Sequence, residues 1–187
     1  LSNTIDTIKT NKTPQTFFHP LKTLNISYPQ ICFNKPEHLS NWRSKSAKGM
    51  GGIHIQSMKT LTHTQSDSYF QHYISGVSCS ALFLSSKESL HILSVNKQIV
   101  DPSTEAPFRL GRIEMPLDFP EATLQTLHST IEKLVHELPL IGLNSIDFIY
   151  TATDQLLTLE VNPRPSDSME LVTTENPIIE LHINAFM

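Results

Sequence analysis

The chain has 187 residues, 39% of them hydrophobic, and a formal charge of −4 at pH 7. That apolar content suffices for a buried core and is too high for a disordered chain, and the lack of bulk basicity argues against a nucleic-acid scaffold. The longest apolar runs, near residues 80–85 and 139–143, are far too short to span a bilayer.

The length fits one domain, or two small lobes sharing a cleft. No charged-then-apolar leader opens the chain, so secretion is not expected and a cytoplasmic location is. Cys32 and Cys79 stand in apolar, strand-like stretches and read as small hydrophobes of a reducing compartment, not as a disulfide. Leu1 rather than Met comes first, which points to a processed, truncated or subcloned chain.

Residues 1–12 are polar and rich in Thr and Asn, a loose lead-in. Residues 13–25 carry Phe17, Phe18, Leu21 and Leu24 at helical spacing, with Pro20 expected to interrupt or restart the helix. Residues 26–33 read as a short extended segment, and residues 35–42 as a brief helix with Pro36 near its first turn. A strand at 42–45 meets Gly49, Gly51 and Gly52, and 53–56 returns as a second strand. Residues 68–74 are aromatic and β-prone, and 78–84 with 90–100 form a hairpin around 86–88. Residues 102–112 read as a long irregular loop. Residues 121–138 hold the strongest helix signal, an apolar stripe of Leu124, Leu127, Ile131, Leu134, Val135 and Leu138 behind Pro120. A second hairpin joins 145–152 to 156–162 and is ended by Pro163 and Pro165. A helix opening at Pro177 closes the chain over 176–186. The class is α+β, dominated by antiparallel hairpins.

The most informative stretch is IDFIYTATDQLLTLEVNPR at residues 146–164. On a strand, Glu160, Asn162 and, if the extended conformation persists, Arg164 share one face, while Leu159 and Val161 point into a core. A hairpin centred on Thr153 and Asp154 sets Asp147 directly across from Glu160, provided the loop is even-numbered; an odd loop makes them diagonal neighbours. Facing carboxylates repel unless a hard divalent cation lies between them, and Asn162 adds a neutral oxygen. Arg164 is suited to hold phosphate oxygens bidentately. The plain alternative is an exposed hairpin whose polar face happens to carry these residues. The second stretch, WRSKSAKGMGGIHI at residues 42–55, places Lys45 ahead of a glycine-rich turn that lets backbone N–H groups approach phosphates. Turns use glycine anyway, so alone this is weak. Neither a P-loop nor a Rossmann fingerprint is present.

Together these stretches resemble the ATP-grasp superfamily, and within it the carboxylate–amine ligases and carboligases related to biotin carboxylase. The matching elements run in the family's order. Asn11-Lys12 resembles the first nucleotide-contacting lysine. Lys45 with Gly49, Gly51 and Gly52 resembles the lysine strand and glycine loop. YFQHYISG at 69–76 resembles the hinge strand bordering adenine. Gln98 and Phe108-Arg109 resemble the middle loop, and LEVNPRPS at 159–166 is the most diagnostic run of the metal hairpin.

The resemblance implies an ATP-grasp fold of two α+β lobes, a small lid of residues 1–76 and a large lobe of 77–187, with the nucleotide between them. Asp147, Glu160 and Asn162 would bind Mg2+ (or Mn2+). Lys12 and Lys45 would contact phosphates with Gly49, Gly51 and Gly52, while Gln71, Tyr73 and Ile74 would border adenine. Lys45 and Arg164 would serve the chemistry, in which a substrate carboxylate is activated by ATP as an acyl phosphate and captured by an amine or other nucleophile. The implied partners are ATP and a small carboxylate, with no nucleic acid and no membrane.

Three departures stand out. Ser46 replaces a proline that often follows the lysine, and Leu110-Gly111-Arg112 replaces a more glycine-rich pair. The family's usual N-terminal α/β domain has no counterpart in the short lead-in, which implies a homo-oligomer or a missing domain partner. The alternative function is therefore a non-catalytic or truncated nucleotide-binding module that needs such a partner.

The histidines, among them His54, His63, His72, His91, His128, His136 and His182, show no shared ligand spacing and do not suggest zinc. His128 and His136 read as solvated, and Phe17, Phe18 and Trp42 as core. Gly49, Gly51, Gly52 and Lys48 give the glycine turn little to bury, so it is expected to order on phosphate binding. A ligand-free crystal should show higher B-factors at residues 48–52 than in the strand at 156–162; low values there without lattice contacts would indicate a rigid structural turn.

Overall fold

Period-two alternation of side chains along the strands sorts them into two antiparallel sheets. The structure is a computed structural model and describes residues 2–58, 61, 67–101, 106–172 and 177–187. The smaller sheet holds β1 (Ile31–Cys32), β2 (Trp42–Ser46), β3 (Ile55–Ser57) and β4 (Ser68–His72), in the order β1-β4-β2-β3. The larger holds β5 (Val77–Ser85), β6 (Leu90–Val100), β7 (Leu110–Glu114), β8 (Gly142–Tyr150) and β9 (Leu156–Asn162), in the order β7-β6-β5-β8-β9. Four α-helices join them among the described residues: α1 (Ile5–Lys12), α2 (Pro14–Thr23), α3 (Glu121–Glu137) and α4 (Ile178–Asn184). The class is α+β, as the patterning predicts. No helix among the described residues is long and apolar enough to cross a membrane.

The larger sheet separates core from cleft by parity. Cys79, Ala81 and Phe83 of β5, Ile146 and Phe148 of β8 and Val161 of β9 join one apolar cluster with Leu127, Ile131 and Leu134 of α3. Each of the Phe, Ile, Leu and Val side chains among them contributes roughly 1.5–3 kcal/mol by leaving water. The neighbouring register row runs Ser80, Asp147, Glu160 across β5, β8 and β9 on the other face. Helix α2 adds Phe17, Phe18 and Leu21 to the cluster. Phe18 also meets Tyr69 of β4 at 5.9 Å between ring centroids, which ties the helix to the smaller sheet.

Several elements differ from the sequence expectations. Residues 5–12 are helical, not loose. Thr4 caps α1 by accepting from the Thr7 N–H, and buried Asn3 donates to Asn144 Oδ1 at 2.8 Å and to the Pro163 carbonyl at 3.0 Å. Tertiary hydrogen bonds thus order a segment whose composition alone gives no such signal. Helix α2 runs through Pro20 without a break. The lost N–H is tolerated because Phe17, Phe18, Leu21 and the Pro20 ring are all buried. Residues 35–41 form bends and a turn instead of a helix and Trp42 opens β2, since this stretch is mostly exposed and an isolated short helix is marginal in water. Residues 110–112 belong to β7, which pairs with β6, rather than to a loop; 102–105 lie outside the described residues, as do His63 and Asn176. Trp42 is half-buried and meets His72 edge-on, outside the core.

The β8–β9 hairpin corrects its own derivation. Its loop is odd, with Tyr150 opposite Leu156, yet Asp147 faces Glu160 directly because a bulge between Asp147 and Phe148 restores the register. The bulged residue is Leu159, which turns to the cleft lining instead of the core.

Both cysteines are free thiols. Burial pushes the Cys79 thiol up to about 12, and burial also raises the half-buried Cys32. Titration of the native protein with a disulfide reagent near neutral pH should therefore consume Cys32 alone, and Cys79 only after unfolding. Equal rates for both thiols in the native state would contradict the packing of β5.

Candidate functional site

A cleft of about 660 Å³ is lined by strands of both sheets. Its acidic wall comes from β8 and β9. Asp147 and Glu160, opposed by the bulged register, are recessed side by side. Gln98 of β6 donates Nε2–H to Asp147 Oδ1 at 3.0 Å, and its own Oε1 accepts from the Ser78 hydroxyl at 2.8 Å. Asn162 donates its amide N–H groups to Asp147 Oδ2 and to Glu160 Oε1, both at 3.3 Å. Its Oδ1 accepts from Lys12 Nζ at 2.8 Å, which brings α1 onto this wall.

Positive charge converges from the opposite side. Lys45 of β2 is 5% exposed and donates to Gln71 Oε1 at 3.3 Å. Burial pulls its ammonium down, but Tyr69 and the Glu160 and Asp147 carboxyls outweigh that and leave it raised. Enclosure pushes the Glu160 carboxyl up, yet Lys45 and Lys12 together hold it below its ordinary value. Enclosure and the Glu160 charge drive the Asp147 carboxyl well above its ordinary value, against the partial relief that Lys45 and the Gln98 donor give. His54 is lowered by burial and then by Lys45, so it stands as a neutral imidazole with a buried, unpartnered Nδ1.

The far end of the cleft is aromatic. Tyr73 and Phe108 have ring centroids 6.4 Å apart, and the Arg43 guanidinium lies 4.5 Å from the first and 5.3 Å from the second. The glycine turn closes over the middle. Gly51 accepts from the Leu110 N–H at 2.9 Å, and a Cβ on Gly52, whose φ is +75°, would meet the Phe108 carbonyl oxygen at 1.7 Å. A Cβ on Gly49 would strike the His54 ring at 1.8 Å. Only glycine allows the turn to pass this close to both neighbours.

Every residue singled out from the sequence lines this one cleft: Lys12, Lys45, Gly49, Gly51, Gly52, Gln71, Tyr73, Ile74, Asp147, Glu160, Asn162 and Arg164. Extended conformation ends at Asn162, so Arg164 reaches the cleft from a bend and donates to the Pro165 carbonyl at 3.0 Å. Arg43, His54, Ser80 and Leu159 also line the cleft and were missed. Arg43 was legible, since it stands two residues from Lys45 on the same strand face. His54 was not, because its relevance comes from packing on Gly49 rather than from ligand spacing.

The acidic wall suits a hard divalent cation. Two carboxylates and an amide carbonyl supply the oxygen donors that Mg2+ takes, and a cation there would offset the enclosure and Glu160 charge that raise Asp147. At present the Asn162 N–H groups face both carboxylates, so its oxygen would have to turn toward the ion.

Asp147 also yields a pH prediction. A carboxyl whose folded value lies above its unfolded one stabilises the fold below the unfolded value and loses that contribution as pH rises through the folded one. Asp147→Asn should thus raise the melting temperature at neutral pH in chelator, with the gain vanishing toward pH ~4, near the unfolded carboxylate value. A gain independent of pH, or none, would show that Asp147 is not strained.

The comparisons agree with this geometry. The family model of the ATP-grasp domain matches residues 11–168. Carboxyaminoimidazole ribonucleotide synthase from Aspergillus clavatus, solved with ATP, superposes with a TM-score of 0.80 at 10% identity, covering 98% of this chain and 53% of that one. L-amino acid ligase from Bacillus licheniformis gives 0.75 at 16% identity, covering 96% and 48%. D-alanyl-alanine synthetase A from Vibrio cholerae gives 0.75 at 12% identity, covering 99% and 68%. The chain thus spans about half the length of the first two. No match was found among curated protein sequences. With the family model covering most of its length and the fold shared throughout, the chain belongs to the ATP-grasp family.

Proposed function

We propose that this chain binds Mg-ATP (or Mn-ATP) in the cleft and activates a small carboxylate as its acyl phosphate, for capture by an amine or other nucleophile. One observation carries the reading: Lys12 and Lys45 converge on Asp147, Glu160 and Asn162 in a single cleft beneath a glycine-rich turn. The similar structures are an ATP-bound synthase, a ligase and a synthetase, which supports the same class of chemistry here.

In this reading Asp147, Glu160 and the Asn162 oxygen hold the metal, which would neutralise phosphate charge when bound. Lys45, fixed by Gln71, holds phosphate oxygens together with Lys12, which is released from Asn162 when that oxygen turns to the metal, and the N–H groups around Gly49, Gly51 and Gly52 cover them. Arg164, exposed at the rim, steadies the γ-phosphate while the substrate carboxylate attacks it and ADP leaves. Tyr73 and Ile74 border the base. Residues 1–76 act as the lid lobe and 77–187 as the large lobe, in a cytoplasmic protein that acts on neither nucleic acid nor membrane. Because the chain spans about half of the Aspergillus and Bacillus structures, a partner domain or a second copy completes the substrate site.

Calorimetry tests the site. Glu160→Gln and Asn162→Ala should each weaken magnesium-dependent ATP binding by roughly ten- to a hundredfold, the scale of a lost charged contact, without unfolding the protein. Asp147→Asn should cost less, because enclosure and the Glu160 charge already disfavour the ionised form of its carboxyl. Undiminished affinity in Glu160→Gln or Asn162→Ala would place the metal elsewhere. ADP formation assayed with carboxylate and amine panels separates the two readings: binding without turnover in every combination supports the nucleotide-binding module.

A further inference from the structure

The cleft is polarised, and one cation stands at the wrong end of it. Lys12 and Lys45 stand by the acidic wall, where both hold the Glu160 carboxyl below its ordinary value. Arg43 does not join them. Its guanidinium lies against Tyr73 and Phe108, at 4.5 and 5.3 Å from their centroids. Nη1 donates to the Trp42 carbonyl at 2.9 Å, while Nε is buried without a partner. Among the described residues, no carboxylate lies within ion-pairing distance of it. A buried donor left unpaired is costly, and a planar cation on aromatic faces is a surface for stacking another flat ring.

With phosphates at the charged end, the base of a nucleotide falls at this aromatic end, so the inference rests on the nucleotide-binding reading above. A guanidinium only donates hydrogen bonds. Guanine offers it two adjacent acceptors, O6 and N7, whereas adenine sets N7 beside an amino donor. We propose that Arg43 is the base-selecting residue of this cleft and that its donor fork makes guanine nucleotides acceptable alongside adenine nucleotides.

The test compares ATP, GTP and inorganic tripolyphosphate by calorimetry in magnesium, in the wild-type chain and in Arg43→Met and Arg43→Lys. The wild type should bind GTP within about tenfold of ATP. Arg43→Met should weaken GTP by about tenfold or more, the scale of a lost bidentate contact, while ATP changes by less than about threefold and tripolyphosphate stays unchanged. Arg43→Lys, which keeps charge but loses the planar fork, should behave like the Met variant and decides the question if that variant fails to fold. An unchanged ATP-to-GTP ratio in the variants overturns the proposal. So does wild-type binding of either nucleotide no tighter than tripolyphosphate, since the base would then lack a subsite. If tripolyphosphate and both nucleotides fail to bind the wild type, the nucleotide-binding reading falls first and this inference with it.

Discussion

Asp147 and Glu160 face each other across two paired strands, recessed where water screens them poorly. That repulsion must be met by protons or cations, and three parts of the chain supply them. Lys45 arrives from the smaller sheet, Lys12 from α1, and the Asn162 amide from the same strand as Glu160. Lys45 keeps its charge in an almost closed position because those carboxyls and Tyr69 stand against it. Remove the acidic pair and a buried ammonium loses its justification. The placement of α1 follows the same logic. Asn3 fastens the helix to β8 and to the Pro163 carbonyl, and Lys12 at its other end then reaches Asn162. One electrostatic demand thus links the first helix, the smaller sheet and the central strands.

The larger sheet satisfies core and cleft at once. Ala81 and Ile146 must be apolar to pack on α3, which leaves the adjacent row, Ser80 and Asp147, free to be polar without weakening the core. A one-residue slip would exchange these faces and bury carboxylates against leucines. The bulge at Leu159 is where this arrangement is tuned. It absorbs the odd turn, keeps Val161 in the core, and swings Leu159 into the cleft beside the charged row. An apolar side chain there lowers local hydration, which strengthens every interaction of the neighbouring carboxyls.

Much of this was legible from residue order. The parity of Glu160, Asn162 and Val161 predicts which side chains face the cleft, the spacing of Leu127, Ile131 and Leu134 gives α3, and the hairpin of β5 and β6 follows from its turn. What failed depended on distant partners. Residues 5–12 carry no apolar stripe, so nothing local announces that Asn3 will be satisfied by Asn144, 141 positions away. Pro20 reads as a breaker until its ring is seen buried in the core. The Asp147–Glu160 pairing came out right through an even-loop assumption that the odd turn contradicts, with the bulge supplying the compensating residue. Register arguments fix a pair only when bulges are known, and Leu159 carries no sequence signal for one.

The two ends of the cleft differ in a way that orients whatever enters. At one end, Lys12 and Lys45 stand near the Asp147 and Glu160 carboxyls, so a multiply charged group finds partners there. At the other, Tyr73 and Phe108 offer apolar faces with little charge to satisfy beyond Arg43. Between them the turn comes within bonding distance of Leu110, and Gly52 sits against the Phe108 carbonyl, so the connection between β2 and β3 touches the larger sheet through backbone alone. Such a contact needs no side chain and loses little when broken, one hydrogen bond being worth about 1 kcal/mol net. The turn can therefore leave Leu110 for an anion that offers its N–H groups stronger, charge-assisted bonds, without disturbing the cores on either side.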